Sequence, residues 1–342
     1  MLMNGMIERS PRTRVKSVRL GFLGVGWIGR SRMEAILRTQ MAEAAAVADP
    51  SEDMLNEALR LAPDAEIVGG LDALLSRDLD GVVIATPSAL HAEQSIRALR
   101  AGVAVFCQKP LGRSGAEAAA VVAAARSADR LLGVDLSYRH TQGMQRIRDL
   151  IRNGELGTVF AADLVFHNAY GPDKSWFYDK SLSGGGCVID LGVHLIDMAL
   201  WCLDFPQVVD VTSTLMKGGQ PISAAGDVED FAIATLTLAS GAVIRLACSW
   251  RLQAGCDAVI GADFFGTSGG ASFRNVDGSF YDLAAYRFRG TSAEDLALPP
   301  DDWGGRAAAD WAVRLASGEA YDPSCERLVE VADIIDDIYR HA

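Results

Sequence analysis

The hexapeptide Gly24-Val25-Gly26-Trp27-Ile28-Gly29 follows directly on the apolar run at 18–23 and opens a stretch of helical spacing. A glycine loop in that context restricts the fold sharply. The first glycine permits a tight turn out of a strand, the second lets a pyrophosphate approach the backbone, and the third allows the helix to pack closely on the strand. The helix N-terminus then presents its free amides to the phosphates. Glycines that merely make a turn would explain an isolated match, but Asp49 argues against that reading. It ends the apolar run 44–49, twenty residues after Gly29, where a carboxylate accepts hydrogen bonds from an adenosine ribose. Glu52 and Asp53 add negative charge, and no Lys or Arg intervenes before Arg60. A 2′-phosphate would be repelled, so NAD is expected in preference to NADP.

Further apolar runs recur at 81–86, 103–107 and 131–135, separated by helix-length segments such as the one holding Ile96 and Leu99 and the Ala-rich 116–128. This alternation predicts an α/β Rossmann domain over residues 18–135, a doubly wound parallel sheet with helices on both faces. The texture changes after Gly143. A helix is predicted over 143–152, followed by runs of period two. In 158–167, Phe160, Ala162, Leu164 and Phe166 share one face, and in 242–250 Ile244, Leu246, Cys248 and Trp250 do, with Ser240-Gly241 as a turn. Helices are predicted over 187–203 and 325–340, the latter with Leu328, Val331, Ile335 and Ile338 on one stripe. Residues 136–342 are thus expected to form an α+β substrate-binding domain on an open mixed or antiparallel sheet. Its alternating apolar face suits a homodimer or homotetramer contact, or the chain's own helices. Residues 1–17, dotted with Arg9, Arg12, Arg14 and Lys16, read as a disordered leader.

Charge bears on what the chain avoids. Asp plus Glu number 44 against 32 Lys plus Arg, a net charge of −12, so a polyphosphate backbone is repelled and no nucleic-acid partner is expected. No apolar run approaches the ~18 residues of a membrane span, and the N-terminus lacks a signal-peptide core; a cytoplasmic protein is expected. The six cysteines form no C-x-x-C and read as buried reduced thiols, and the five dispersed histidines offer no metal-ligand spacing.

Strand ends of a doubly wound sheet face the ligand crevice, which gives Thr86-Pro87 with His91, and Gln108-Lys109-Pro110, ligand-side addresses. Farther on, Gly184-Gly185-Gly186 precedes a helix carrying Asp190, His194, Asp197 and Trp201 at spacings that share one face. A carboxylate one turn before an imidazole can fix its tautomer and raise its basicity. An ordinary capped helix with a satisfied histidine fits that spacing as well. Arg139, His167, Asn168, Trp176 and Tyr178 are side chains suited to a hydroxyl-rich ligand. Loop packing by Trp176 and Tyr178, an ion pair at Arg139 and an exposed strand position for His167 fit at least as well.

Taken in order, GVGWIG, ATPSALH, CQKPLG, Tyr138-Arg139, SGGGCVIDLGVH and FFGTSGG resemble the glucose–fructose oxidoreductase, inositol dehydrogenase and rhizopine-catabolism (Gfo/Idh/MocA) family, from residue 18 to the C-terminus. The resemblance implies a Rossmann domain followed by an α+β domain with an open sheet. It implies hydride transfer between a nicotinamide and a sugar, inositol or related polyol, and catalytic roles for Lys109, Asp190 and His194. His194, oriented by Asp190, is then the expected general base, with Lys109 holding the substrate hydroxyl; Lys109 as the proton carrier is the alternative. Two positions depart from the family pattern. Gln108 replaces a glutamate beside the nicotinamide ribose, and Arg139 is followed by His140-Thr141-Gln142 without the usual proline. Two rival functions remain: an NAD-dependent lyase or glycosidase with internal redox, and a non-catalytic NAD-dependent sensor that would have no use for the three residues together.

Overall fold

A computed structural model describes residues 17–341 except Ala225, so all but Ser17 of the expected leader lies outside the described residues. The first unit contains six strands, β1 (Val18–Leu23), β2 (Ala42–Ala48), β3 (Glu66–Ile67), β4 (Gly81–Ile84), β5 (Ala104–Cys107) and β6 (Leu132–Val134). Between them run α1 (Trp27–Arg38), α2 (Glu52–Leu61), α3 (Leu71–Leu75), α4 (Ser88–Arg100) and α5 (Gly115–Ala128). All strands pair in parallel, in the order β3-β2-β1-β4-β5-β6. Every residue of β4 and β5 is buried, which is why these strands read as continuous apolar runs rather than alternating ones. The order reverses between β1 and β4, placing the ligand crevice above their carboxyl ends.

The second unit begins with α6 (Gln142–Arg152), β7 (Val159–Asn168), α7 (Lys180–Ser183) and α8 (Val193–Cys202). Eight strands follow: β8 (Val208–Lys217), β9 (Gln220–Pro221), β10 (Phe231–Leu238), β11 (Val243–Ser249), β12 (Ala258–Gly266), β13 (Gly270–Asn275), β14 (Leu283–Arg289) and β15 (Ser292–Ala297). With β7 they form one nine-stranded sheet, in the order β15-β14-β13-β12-β7-β11-β10-β8-β9. Only β7 and β11 pair in parallel. Alternation works as expected in β11, where Ile244, Leu246 and Cys248 are buried, as is Trp250 beyond its end. In β7 the buried stripe is Ala162, Leu164 and Phe166, whereas Phe160 is 53% exposed at the start of the strand. The Ser240-Gly241 turn is present, with the Gly241 amide donating to the Leu238 carbonyl.

Helix α8 crosses the apolar face of this sheet with all ten residues buried. Within the run at 180–202 an 18-residue window has a mean hydropathy of 1.4, reaching the length and apolarity of a membrane span, contrary to the expectation that no run approaches one. Its window is 94% buried within the protein, the mark of a core helix. Immediately before α8, residues 188–192 form a π-turn that sequence periodicity did not announce.

The chain ends with α9 (Arg306–Ala316) and α10 (Arg327–Arg340). The expected division at residue 135 does not hold for α9. Its Ala307, Ala308, Trp311 and Ala312 share a core with Leu20, Phe22, Val83 and Phe106 of the first unit. A Cβ added at Gly81 or Gly133 would lie 2.7 or 2.8 Å from the Trp311 ring, so both strands carry glycine where the indole lies on the sheet. An apolar stripe announces that a helix is buried but not against which partner. Trp311→Ala should destabilise the protein by about 3–5 kcal/mol through the lost packing and the resulting cavity, read as a lower denaturant midpoint.

Candidate active site

The glycine loop is built by close approach. Gly24 has φ +84°, and a Cβ there would meet the Ala85 carbonyl oxygen at 2.5 Å; a Cβ at Gly29 would lie 2.0 Å from the Gly24 carbonyl oxygen. Around Gly26 nothing lies within 4 Å of the Cβ position, leaving room for a ligand. Helix α1 starts without a side-chain cap and without acidic residues in its first turn, so the amides around Trp27, Ile28 and Gly29 suit an anion. The Asp49 carboxylate accepts from the Val25 amide at 2.8 Å and the Ser51 amide at 2.9 Å. It therefore shapes the glycine loop itself, while each oxygen retains capacity for a ribose hydroxyl. These features fit a dinucleotide.

Beyond β4, the Thr86 hydroxyl donates to Gln94 Oε1 at 2.6 Å, and Pro87 leads into α4, again without a side-chain cap. His91 corrects its expected role in cofactor contact. It is buried, with Nδ1 2.7 Å from the Pro110 carbonyl and Nε2 2.7 Å from the Thr86 carbonyl. Its ring joins the loop after β4 to the loop after β5 instead of reaching a ligand.

Those loops deliver Lys109 to the second unit. Lys109 Nζ donates to both the backbone carbonyl and Oδ1 of Asp190, each at 2.7 Å. Trp250 Nε1 donates to Asp190 Oδ2 at 3.0 Å. The Lys109 and Asp190 side chains keep 21% and 14% exposure, so the pair is partly open to solvent rather than sealed in the core. His194 is nearly buried, its ring 5.1 Å from Tyr138 in an edge-on contact and 6.4 Å from Phe166. Burial, and then the positive charges of Lys109 and Arg32, hold its pKa well below the ordinary histidine value. The imidazole is neutral at pH 7.

The expected orientation of His194 by Asp190 is not observed. Both Asp190 oxygens are engaged by Lys109 and Trp250. The reason is the π-turn, whose wider hydrogen-bonded repeat carries Asp190 out of line with the α8 residues four and seven positions on. Asp197, in the regular part of α8, pairs with Arg139, accepting from its Nε at 2.8 Å. Arg139, expected at the substrate, is thereby committed to an ion pair and also lies over the Phe205 ring.

The remaining expected substrate residues divide. His167 Nδ1 is 2.8 Å from the Ser249 hydroxyl and its ring stacks on Phe231. Asn168 Oδ1 is buried without a hydrogen-bond partner. Tyr178 meets the Trp250 ring edge-on at 5.6 Å, which brings it beside the Asp190 cluster. Trp176 stacks on Phe177 at 3.8 Å and reaches Trp250 only through it. Among the described residues no group of three or more His, Cys, Asp or Glu side chains converges as a metal site. Five cysteines are buried, and burial pushes the Cys107 thiol up to about 12.

Sequence reading missed Trp250 and Tyr138 as parts of this site, and with them a buried cluster under Lys109. Asp135 Oδ2 accepts from Arg32 Nε at 2.6 Å and from Gln108 Nε2 at 2.7 Å, while Oδ1 accepts from the Ser137 hydroxyl at 2.8 Å. Gln108 thus carries no charge but touches one. A cation in the buried stripe of α1 beside Met33 and Ile36 was the available signal.

A glycine loop between strand and helix, a carboxylate at the end of β2 and a Lys–Asp pair joining two sheets fit a dinucleotide-binding architecture. Comparison with known proteins agrees. The profile described as "Oxidoreductase family, NAD-binding Rossmann fold" matches residues 18–136, and "GFO/IDH/MocA C-terminal domain" matches 144–272. D-glucoside 3-dehydrogenase of Escherichia coli is 30% identical over 58% of this chain, an alignment that spans only 60% of that relative. The "Putative UDP-kanosamine synthase oxidoreductase subunit" of Amycolatopsis mediterranei is 33% identical over 68% of this chain and 69% of its own length. Among solved structures, KijD10, a 3-ketoreductase from Actinomadura kijaniata in complex with NADP and TDP-benzene, superposes with a TM-score of 0.81 at 25% identity, covering 96% of this chain and 98% of that one. The chain belongs to the Gfo/Idh/MocA oxidoreductase family.

Burial lowers the pKa of His91, His140, His167 and His194 alike. In the unfolded chain these groups take up protons near pH 6.5, whereas in the folded protein they do so only at lower pH. Stability is therefore full above that pH and falls as the pH drops below it. The urea midpoint should decrease between pH 7 and pH 5, and His194→Gln should lessen that decrease.

Proposed function

We propose that the protein is an NAD-dependent dehydrogenase acting on a secondary alcohol of a sugar, inositol or sugar-derived polyol. The observation that carries this reading is the partly exposed Lys109–Asp190 pair where the two sheets meet, together with a dinucleotide-type glycine loop. When bound, a nicotinamide dinucleotide supplies the hydride acceptor for oxidation or the donor for reduction. The glycine loop and Asp49 would hold its phosphates and ribose.

The chain's own residues handle the proton and the position of the hydroxyl. Lys109 Nζ, an ammonium with three hydrogens, uses two on Asp190 and has one left for a substrate oxygen. That donor steadies the alkoxide character that develops as the hydroxyl proton departs. Neutral His194 accepts the proton, and as imidazolium it returns one in reduction. Trp250 fixes the Asp190 carboxylate, and with Tyr178 it provides an aromatic wall for the carbon face of a polyol. Support for NAD over NADP comes from Asp49, Glu52 and Asp53, with no cation before Arg60 to receive a 2′-phosphate. Exposed Ile233, Val243 and Phe265, on the side of the nine-stranded sheet away from α8, support a homo-oligomer through that face.

Wild-type protein given NAD⁺ and a panel of inositols, aldoses and sugar acids should generate absorbance at about 340 nm, where reduced nicotinamide absorbs, and Lys109→Ala should not. Conversion of substrate without net reduced cofactor would point instead to internal-redox lyase chemistry. His194→Ala should lower turnover by about 10²–10⁴ while leaving cofactor affinity nearly intact; unchanged turnover would place the base elsewhere. Asp49→Ala should weaken both cofactors, because it frees the Val25 amide, and NAD more than NADP. An unaltered ratio of the two affinities would reject Asp49 as the selector.

A further inference from the structure

Glu229, just ahead of β10, is 1% exposed, and the chemistry above does not use it. A carboxylate so buried is costly unless its oxygens are well bonded. Its Oε1 accepts from the amides of Gly186 and Val188, both at 2.9 Å, and from the Tyr339 hydroxyl at 2.8 Å. Oε2 lies 3.0 Å from the same Gly186 amide. The backbone takes part too, since the Cys187 amide donates to the Glu229 carbonyl at 3.1 Å. One residue thus binds three consecutive amides, 186–188, at the entrance of the π-turn that carries Asp190.

That turn has no side-chain cap from its own N-cap residue, Cys187. Glu229 supplies the missing acceptors from across the sheet, with negative charge where a helix N-terminus favours it. The glycine triplet follows from the same approach. A Cβ at Gly185 would lie 1.9 Å from the Tyr339 hydroxyl oxygen, and one at Gly186 would lie 1.9 Å from the Glu229 carbonyl oxygen. Gly186 is the link to the cleft, because its amide is held by Glu229 while its carbonyl accepts from the Asp190 amide at 3.1 Å.

We propose that Glu229 is a positioning residue for the reacting site: by clamping residues 186–188 it fixes the π-turn that delivers Asp190 to Lys109 and Trp250. The inference rests on reading Lys109, Asp190 and His194 as that site. A π-turn is rare, and here the amides at its entrance are held by the carboxylate and the backbone carbonyl of one residue from outside it.

The test measures acylation of Lys109 by a low dose of acetic anhydride in cofactor-free protein, followed by peptide mass spectrometry. An ammonium held by Asp190 acylates slowly, and Asp190→Asn sets the rate of a released lysine. Glu229→Ala should raise Lys109 labelling several-fold, toward the Asp190→Asn rate, and lower kcat at least tenfold, with NADH affinity within twofold of wild type. Glu229→Gln keeps an amide oxygen for Gly186, Val188 and Tyr339, and should recover most of both properties. Should Glu229→Ala not fold, Glu229→Asp carries the comparison, since its shorter carboxylate cannot span the same amides. Wild-type labelling of Lys109 in whichever of these two variants folds, accompanied only by a lower Tm, overturns the proposal. Turnover that survives Lys109→Ala would defeat the functional reading instead, while the labelling would still report on Glu229.

Discussion

The ammonium of Lys109, bonded at 2.7 Å to the carbonyl and to the carboxylate of Asp190, joins the two sheets of this protein at one point. The lysine leaves the carboxyl end of β5, and the aspartate lies in a π-turn packed on the other sheet. Neither unit completes the pair alone. Because both groups are partly withdrawn from water, removing either leaves a charge without its partner, a larger penalty than the pair's net worth. Much of the surrounding structure serves to hold the two ends in register. His91 ties the β4 and β5 loops together on the lysine side, and Trp250 and Glu229 restrain the aspartate side.

Charge around that pair is balanced at short range. Two cations, Lys109 and Arg32, act on His194, and each is matched by its own carboxylate, Asp190 and Asp135. The histidine stays neutral mainly because it is buried, packed against Tyr138 and Phe166 rather than bonded to a carboxylate. The Gln108–Asp135 bond gives the neutral side chain at 108 a negatively charged neighbour and fixes its amide orientation, leaving its carbonyl oxygen as an acceptor.

Much of the fold was legible in the chain, and for identifiable reasons. Parallel strands buried on both faces must be apolar throughout, half-buried strands must alternate, and a glycine loop between strand and helix has few alternatives. The parallel pairing of the five apolar runs, the alternation in β11 and the stripe on α10 follow from those rules, whereas the two-residue, exposed β3 had no apolar run to announce it. The site was legible as a set of residues rather than as an arrangement. Lys109 and Asp190 do meet, but the inferred Asp190–His194 contact assumed regular α-helical spacing. A single π-turn displaced it. His91, expected at the ligand from its place after a strand end, proved to face two backbone carbonyls, and Arg139 took the ion pair that had been weighed against a substrate role, with Asp197.

Local rules acting within a few residues, namely period, turn chemistry and strand-end position, were enough to determine that a parallel sheet is followed by a mixed one and that a glycine loop joins β1 to α1. What the tertiary structure decided are the pairings made at long separation. Trp311 returns to the first sheet from the end of the chain, Trp250 reaches Asp190 across 60 residues, and Glu229 clamps Gly186 across 43. Such contacts depend on which surfaces meet when the two sheets pack, and a buried carboxylate or indole carries no mark in the sequence of the partner that will satisfy it.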